Sequence, residues 1–207
     1  MDVSRIEKIK ASAKGRRIVV ASKYVGVDEI RALCGLGFHD FGENRVDAFL
    51  KKYEALQNEP DIHFHFIGHL QSNKAKMVAN KIVCLHSLDS LKTARLLQEA
   101  LESPLDCYVE LHLTDNEAKS GVKEEDLPIF LKGLKAFSKI RVIGFMAMSD
   151  ASMNEEEKRA VFAKAKILAE KYGYHQLSMG MSDDYRLAIE EGATTLRLGR
   201  IITDCCK

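Results

Sequence analysis

The chain has 207 residues, of which 46% are hydrophobic and 29% are charged, and these proportions are typical of a globular protein with a sizeable core. The formal net charge of +1 excludes the strongly basic surface that is typical of nucleic-acid-binding proteins. No apolar run approaches the about 18 residues that a membrane span needs, so we expect neither a nucleic acid nor a membrane as a partner.

The cysteines and the N-terminus bear on the compartment. The five cysteines are odd in number and form no CxxC pair, and Cys34, Cys84 and Cys107 stand among apolar residues. Such cysteines are typical of small core residues in a reducing environment. Residues 1–7 also lack the basic-then-apolar pattern of a signal peptide. We therefore expect a cytoplasmic protein.

The periodicity of apolar residues predicts helices and strands that alternate along the whole chain. In the first half, in chain order, we predict a helix over 2–14, a strand over 18–23, a helix over 27–36, a strand over 38–42, a helix over 43–56, a strand over 62–67, a helix over 71–80 and a strand over 82–85. In the second half, we predict a helix over 88–101, a strand over 107–113, a helix over 126–137, a strand over 140–146, a helix over 154–172, a strand over 176–179, a helix over 183–191 and a strand over 194–198.

This alternation predicts a fold class. Strands separated by helices form βαβ units with parallel pairing, and eight such units close into a (β/α)8 barrel, for which about 200 residues is the lower limit. No composition shift or linker divides the chain, so we expect residues 1–207 to form a single domain. The alternative is an open doubly wound sheet, whose GxGxxG signature after the first strand is absent.

The first predicted strand ends in a chemically useful side chain. The apolar run 18–21 is followed by Ser22 and Lys23, which places the lysine where a strand buried on both faces would end. An amine that is partly removed from water at the mouth of an apolar site can act as a nucleophile towards a carbonyl group. The alternative is a solvated lysine that merely closes the strand.

The loops after the last two predicted strands could hold an anion. In a barrel, active residues lie at the carboxyl ends of the strands, and phosphate is often bound after strands seven and eight. Glycine in loops 178–184 and 197–200 lets backbone N–H groups approach an anion, Ser182 adds a hydroxyl donor and Arg200 adds a cation. The alternative is an ordinary turn in which Ser182 or Asp183 caps the next helix.

Three histidines that lie close together in sequence raise the question of a metal site. His63 and His65 would share one face of a strand, and His69 follows shortly after. No carboxylate or cysteine completes a ligand set with them, and the HExxH motif is absent. We therefore expect no metal site.

Six motifs follow one another along nearly the whole chain. They are VASK at 20–23, FGEN at 41–44, HFIG at 65–68 with LQSNK at 70–74, KSG at 119–121, GFM at 144–146 and LSMGMSDD at 177–184. In this order they resemble the pyridoxal phosphate homeostasis proteins (the YggS/PROSC family), which are related to the N-terminal barrel of alanine racemase. The runs at 65–74 and 177–184 are highly specific.

The resemblance implies a single (β/α)8 barrel that holds pyridoxal 5′-phosphate (PLP). Lys23 matches the lysine that forms a Schiff base with the cofactor, Asn44 matches a residue beside the cofactor, and Arg197 matches the arginine that faces the pyridine nitrogen. The phosphate-binding positions of the family match Ser182, Gly199 and Arg200. The family usually has Thr or Ser where this chain has Arg200, although a guanidinium can also pair with a phosphate.

The resemblance also implies that the protein binds, buffers and delivers PLP, and so maintains its intracellular level, and is not an enzyme. PLP enzymes normally place an acid against the pyridine nitrogen, and alanine-racemase-type chemistry needs a second base, a tyrosine from a further domain. Two alternatives stay open: a weak racemase-like PLP enzyme acting on amino acids, and a lysine Schiff-base aldolase acting on a phosphosugar. We expect a monomer whose partners are PLP, free amino acids and apo forms of PLP-dependent enzymes.

Overall fold

The computed structural model describes residues 1–116 and 120–206, in which the strands form one closed parallel barrel in the order β1 to β8. The strands are β1 Arg17–Ala21, β2 Asp40–Glu43, β3 His63–Phe66, β4 Cys84–Leu88, β5 Leu105–Glu110, β6 Ile140–Met146, β7 Gln176–Ser178 and β8 Thr195–Leu198. The helices are α1 Val3–Ser12, α2 Val27–Gly35, α3 Val46–Leu56, α4 Ala75–Val78, α5 Leu91–Ala100, α6 Leu127–Leu134, α7 Glu155–Lys171, α8 Tyr185–Glu190 and α9 Arg200–Thr203.

The predicted (β/α)8 barrel is confirmed, and the open sheet is wrong, because β1 pairs in parallel with both β2 and β8. None of the helices in 1–116 and 120–206 combines the length and the apolar character that a membrane span needs.

Strand residues alternate between the helical layer and the barrel interior, and this alternation separates apolar from polar groups. On β3, Phe64 and Phe66 face outward and pack against Phe49 of α3, with ring centroids 5.5 and 6.5 Å apart. His65, between them, points inward and is buried. The apolar core therefore lies between barrel and helices, and the interior of the barrel is free to carry polar side chains.

The first strand is shorter than the sequence predicts. Pairing between β1 and β2 stops at Ala21 and Gly42, and residues Ser22–Tyr24 form a single 3-10 turn. The carbonyl of Ser22 accepts a hydrogen bond of 2.6 Å from the Lys52 ammonium instead of a ladder partner. The same carbonyl accepts from the N–H of Val25, which closes the turn. Lys23 therefore lies within the turn that follows the strand and not in the strand itself.

The helix predicted over 71–80 is also wrong in extent. The segment forms a 3-10 turn, Ser72–Lys74, followed by the one-turn helix α4. Asn80 adopts a left-handed conformation with φ of 61°, and its side-chain amide donates to the carbonyl of Ala100 and accepts from the N–H of Glu102. These bonds hold Asn80 against the end of α5, which stops the helix from continuing.

The strands β6 and β7 lie in close contact at Gly144. A Cβ atom at Gly144 would lie 1.9 Å from the carbonyl oxygen of Gln176, so Gly144→Ala should lower the free energy of unfolding by about 1–3 kcal/mol or more. Gly35→Ala is the matched control, because nothing lies within 4 Å of a Cβ at this helical position; it should raise that free energy by about 0.5–1 kcal/mol. Urea denaturation measures both, and equal stability of the two variants would contradict the close approach of β6 and β7.

Candidate functional site

A cavity of about 250 Å³ opens at the carboxyl ends of the strands. Its wall combines apolar residues with Lys23, Asn44, Glu110 and Arg197, which come from the ends of four different strands. A larger groove of about 540 Å³ lies on the outer surface beside α6. We assign the site to the smaller cavity because titratable side chains converge there, at the end of the barrel where such folds bind ligands.

Lys23 contributes an exposed amine to the cavity wall, carried by the 3-10 turn after β1. Its ammonium lies 4.7 Å from the centroid of the Tyr24 ring. Because the turn carries it past the strand, the lysine is more solvated than its sequence context predicts. It is still the only lysine among the described residues that line this cavity.

A buried ion pair fixes the turn that carries Lys23. Glu43 is fully buried, and its Oε1 accepts a bond of 2.5 Å from Lys52 Nζ and one of 2.7 Å from Ser22 Oγ. The sequence pattern did not reveal this pair, because it predicts Glu43 at the start of a helix, where a glutamate faces water. The structure places Glu43 in β2 instead. Removing one partner of such a pair is strongly destabilising, because it leaves a buried charge uncompensated.

Asn44 lies on the cavity wall beside Gly68, and their close approach explains part of the HFIG motif. A Cβ atom on Gly68 would lie 2.4 Å from the carbonyl oxygen of Asn44. Glycine is therefore required for the segment after β3 to pass over the segment after β2. Asn44 itself is exposed and reaches the cavity, as the resemblance implies.

Arg197 is buried in the barrel interior and reaches the floor of the cavity from β8. Its Nη1 donates to the carbonyl and hydroxyl oxygens of Ser178 at 2.6 and 2.7 Å, and Nη2 donates to the carbonyl of Ala147 at 3.1 Å. Burial lowers its pKa to about 10, while the charge of Glu110 opposes that shift, so the guanidinium stays charged at neutral pH. Arginine has five N–H groups, and these three bonds leave others for an acceptor in the cavity.

Glu110 is a cavity residue that sequence reasoning did not identify. The sequence predicts a strand that continues to residue 113, but β5 ends at Glu110. At this point Val122 donates its N–H to the Glu110 carbonyl and pairs with Leu111 in an isolated bridge. Oε1 of Glu110 accepts a bond of 3.0 Å from Ser120, whereas the buried Oε2 has no partner among the described residues. Burial raises the pKa of this carboxyl more than the bond from Ser120 lowers it.

The loop after β7 is held against the chain that follows β8. Ser182 Oγ accepts hydrogen bonds of 3.3 Å from the backbone N–H groups of both Gly199 and Ile201. An oxygen that accepts two such bonds keeps its own hydroxyl proton for another partner. The buried Asp184 accepts from the N–H of Met181 at 2.6 Å and so shapes the loop. The predicted phosphate positions Ser182 and Gly199 are therefore brought together.

Arg200 pairs with the exposed side of this loop. Its Nη2 lies 2.9 Å from Asp183 Oδ2, and both side chains are largely exposed. Arg200 does not line the cavity, and neither do Ser182 and Gly199, whereas the neighbouring Met181 does. A role of Arg200 at a phosphate would require its guanidinium to leave Asp183.

The three histidines considered above as metal ligands do not converge. His65 is buried in the barrel interior, whereas His69 is exposed at the carboxyl end of the barrel and lies 3.4 Å from Asp89. His63 and His65 do share a face, since each approaches Asp40 Oδ1, at 3.7 and 2.9 Å. Lys119 of the KSG motif lies outside the described residues.

The donor set fits PLP, which carries an aldehyde, a phosphate, a phenolic oxygen and a ring nitrogen. On the cavity wall, Lys23 has an amine that could meet the aldehyde, and Arg197 has an N–H that could meet the ring nitrogen. Ser182, next to the wall residue Met181, has a hydroxyl that could meet the phosphate.

Comparisons with known proteins identify the family of this chain. Residues 4–204 match the family model described as the alanine racemase N-terminal domain. A pyridoxal phosphate homeostasis protein of Aquifex aeolicus is 37% identical over 195 residues, which cover 90% of this chain and 85% of that protein.

Solved structures extend the comparison to three dimensions. PipY of Synechococcus elongatus, solved without PLP, has a TM-score of 0.92 at 29% identity, and the match covers 98% of this chain and 99% of PipY. The same protein solved with PLP bound has a TM-score of 0.88 at 28% identity, with the same coverage. The resemblance that the motifs indicate is confirmed, and this chain belongs to the family of the pyridoxal phosphate homeostasis proteins.

Proposed function

We propose that this protein binds PLP in the cavity at the carboxyl end of its barrel, and that it buffers and delivers the cofactor rather than using it for catalysis. The observation that carries the proposal is the convergence of Lys23 and Arg197 on one cavity, in a barrel that matches PipY solved with PLP bound. Free amino acids and apo forms of PLP-dependent enzymes are the partners that such a role requires.

In this proposal, different residues bind different groups of the cofactor. PLP supplies an aldehyde that condenses with an amine to a Schiff base, and Lys23 offers that amine from the exposed turn after β1. Ser182 donates its free hydroxyl proton to the phosphate, beside the backbone of Gly199. Asn44 lies on the cavity wall, where it would contact the cofactor. An exposed amine also lets amino acids and acceptor proteins approach it.

Arg197 supports a carrier rather than a catalyst. Its guanidinium keeps its proton at neutral pH and can only donate, so the ring nitrogen that accepts from it must be unprotonated. PLP enzymes normally place an acid there, because a protonated ring stabilises the carbanion at the bound amino acid. Loss of such electrostatic stabilisation costs several kcal/mol in other enzymes, about 2.7–4 for one donor.

One observation favours the alternative of a weak PLP enzyme. Glu110 presents a buried carboxyl with raised pKa on the cavity wall, and such carboxyls serve as general acids or bases in other enzymes. No tyrosine lies among the described residues of the cavity wall, so Glu110 is the residue that this alternative would require as base.

The covalent site can be tested by trapping. Lys23→Ala should abolish the visible absorption band of the PLP-loaded protein and the adduct that borohydride fixes, because the amine is removed. Lys74→Ala is the matched control, since Lys74 lies nearby but pairs with Asp47 at 3.6 Å; it should keep both signals. Mass spectrometry that placed the reduced adduct of the wild type wholly on another lysine would refute the assignment. A colourless wild-type protein that still trapped a phosphosugar would instead favour the aldolase.

The phosphate site can be tested by two substitutions on neighbouring loops. Ser182→Ala should weaken PLP binding by about 0.5–1.5 kcal/mol, or up to about 3 kcal/mol because the acceptor is charged. Arg200→Thr should leave PLP affinity nearly unchanged, because the guanidinium pairs with Asp183 at the surface. Equilibrium titration with PLP measures both, and a large loss of affinity in Arg200→Thr would make the arginine the main phosphate ligand.

The carrier role predicts slow exchange of the α-hydrogen of bound amino acids. With L-alanine, L-serine or L-lysine in deuterated water, the loaded protein should change its spectrum or release cofactor, but exchange the α-hydrogen well below about 1 s⁻¹, an enzyme-like rate. NMR measures the exchange, and Glu110→Gln is the control that removes the candidate base. Exchange at about 1 s⁻¹ or faster in the wild type would overturn the carrier role, and its loss in Glu110→Gln would make Glu110 the base.

A further inference from the structure

A line of hydrogen bonds crosses the interior of the barrel beneath the cavity. At the far end, Asp40 Oδ1 lies 2.9 Å from His65 Nε2, and His65 Nδ1 lies 2.9 Å from His86 Nε2. At the near end, His86 Nδ1 lies 2.8 Å from Ser178 Oγ, which lies 2.7 Å from Arg197 Nη1. We call these five residues the interior chain. They come from β2, β3, β4, β7 and β8.

Donor and acceptor chemistry gives the interior chain one direction. Arg197 can only donate, so Ser178 Oγ accepts from it and must place its own proton elsewhere. The acceptor within reach is Nδ1 of His86. A histidine that accepts at Nδ1 carries its proton on Nε2, and His86 therefore donates to Nδ1 of His65.

The same logic completes the interior chain at its far end. His65 accepts at Nδ1 and so donates from Nε2 to Asp40 Oδ1, which requires a carboxylate there. Burial alone would raise the pKa of Asp40, but His65, Arg17 and His63 together hold it below its usual value. Burial lowers the pKa of both His65 and His86, which keeps both rings neutral. Each proton along the chain therefore points from the arginine towards the aspartate.

A metal site is the competing interpretation of these groups. His65, Cys84 and His86 offer ligand atoms that lie within 4.8 Å of one another. The two ring nitrogens that face each other already share a hydrogen bond, and burial raises the pKa of the Cys84 thiol well above its usual value, which disfavours the thiolate that metals bind. The hydrogen-bonded arrangement therefore fits the geometry better.

We propose that Asp40, His65, His86 and Ser178 are positioning residues that hold the guanidinium of Arg197 towards the cavity. Arg197 is desolvated, and Asp40 is only about 20% exposed. The neutral rings between them lie in a medium of low dielectric constant, where aligned hydrogen bonds strengthen one another. The carboxyl groups that act on the charge of Arg197 itself are those of Glu110 and Asp184. The expected effect of these residues on PLP affinity rests on the proposed function.

Histidine tautomers test the interior chain in the protein without cofactor. Protein labelled with 15N at histidine should show both His65 and His86 as neutral rings protonated at Nε2 at pH 7, identified by their loss from the spectra of His65→Gln and His86→Gln. A ring protonated at Nδ1, or a doubly protonated ring at either position, would overturn the proposal. This measurement does not depend on PLP binding.

Affinity for PLP tests the positioning role. Ser178→Ala and Asp40→Asn should each weaken PLP binding by about 3- to 10-fold, the effect of one net hydrogen bond, and Ser178→Thr should restore part of the loss because it keeps the hydroxyl. Asp106→Asn is the matched control: it removes a carboxylate from the same end of the barrel, paired with Arg141 outside the interior chain, and should change affinity less than 2-fold. Circular dichroism checks that each variant folds.

The outcomes separate this proposal from the proposed function. Normal PLP affinity in folded Asp40→Asn and Ser178→Ala would overturn the positioning role while leaving PLP binding intact. Equal weakening by Asp106→Asn would also overturn it, because the effect would not be specific to the interior chain. A wild-type protein that bound no PLP would refute the proposed function, and the tautomers alone would then decide whether the interior chain exists.

Discussion

The pairing of β1 with β8 closes the barrel, and the candidate site depends on it. Val19 lies opposite Arg197 in this pairing, and Val20 lies opposite Leu198. The lysine that follows the first strand and the arginine of the last strand thereby reach one cavity. Closure also removes the exposed strand edges of the sheet. The hydrogen bonds between β1 and β8 thus close the barrel and also bring the residues of the site together.

Closure also creates a dry interior in which polar groups must satisfy one another. The groups of the interior chain do so through hydrogen bonds that are all donated in the direction from Arg197 to Asp40. A second buried polar group, the ion pair of Glu43 and Lys52, lies outside the barrel interior, between β2 and α3, and holds the turn before α2. Burying these polar groups costs desolvation free energy, so neither arrangement is an effective way to stabilise a barrel. Each arrangement instead holds in place an element that presents a side chain to the cavity.

Much of the fold could be predicted from the sequence, because its signals are local. Apolar periodicity distinguishes strands from helices within a few residues, and the regular alternation of the two implies parallel pairing. The motifs indicated the family, and the resemblance pointed to Lys23, Asn44 and Arg197 near strand ends, where the structure brings all three to the cavity. The predicted ends of helices and strands were less accurate, as the helix predicted over 71–80 shows. Distant partners such as Ala100 decide where such a segment stops.

Contacts between distant strands were decided by tertiary structure alone. Composition and periodicity determined that the chain forms a barrel with a lysine after its first strand, since those depend on neighbours in sequence. Whether Arg200 meets a phosphate or Asp183, whether Glu110 ends its strand at the cavity, and whether His65 reaches His86 depend on strand register and on closure. A shift of one residue in register moves a side chain to the other face of a strand. For that reason the residues of the site could be named from the sequence, while their partners required the folded barrel.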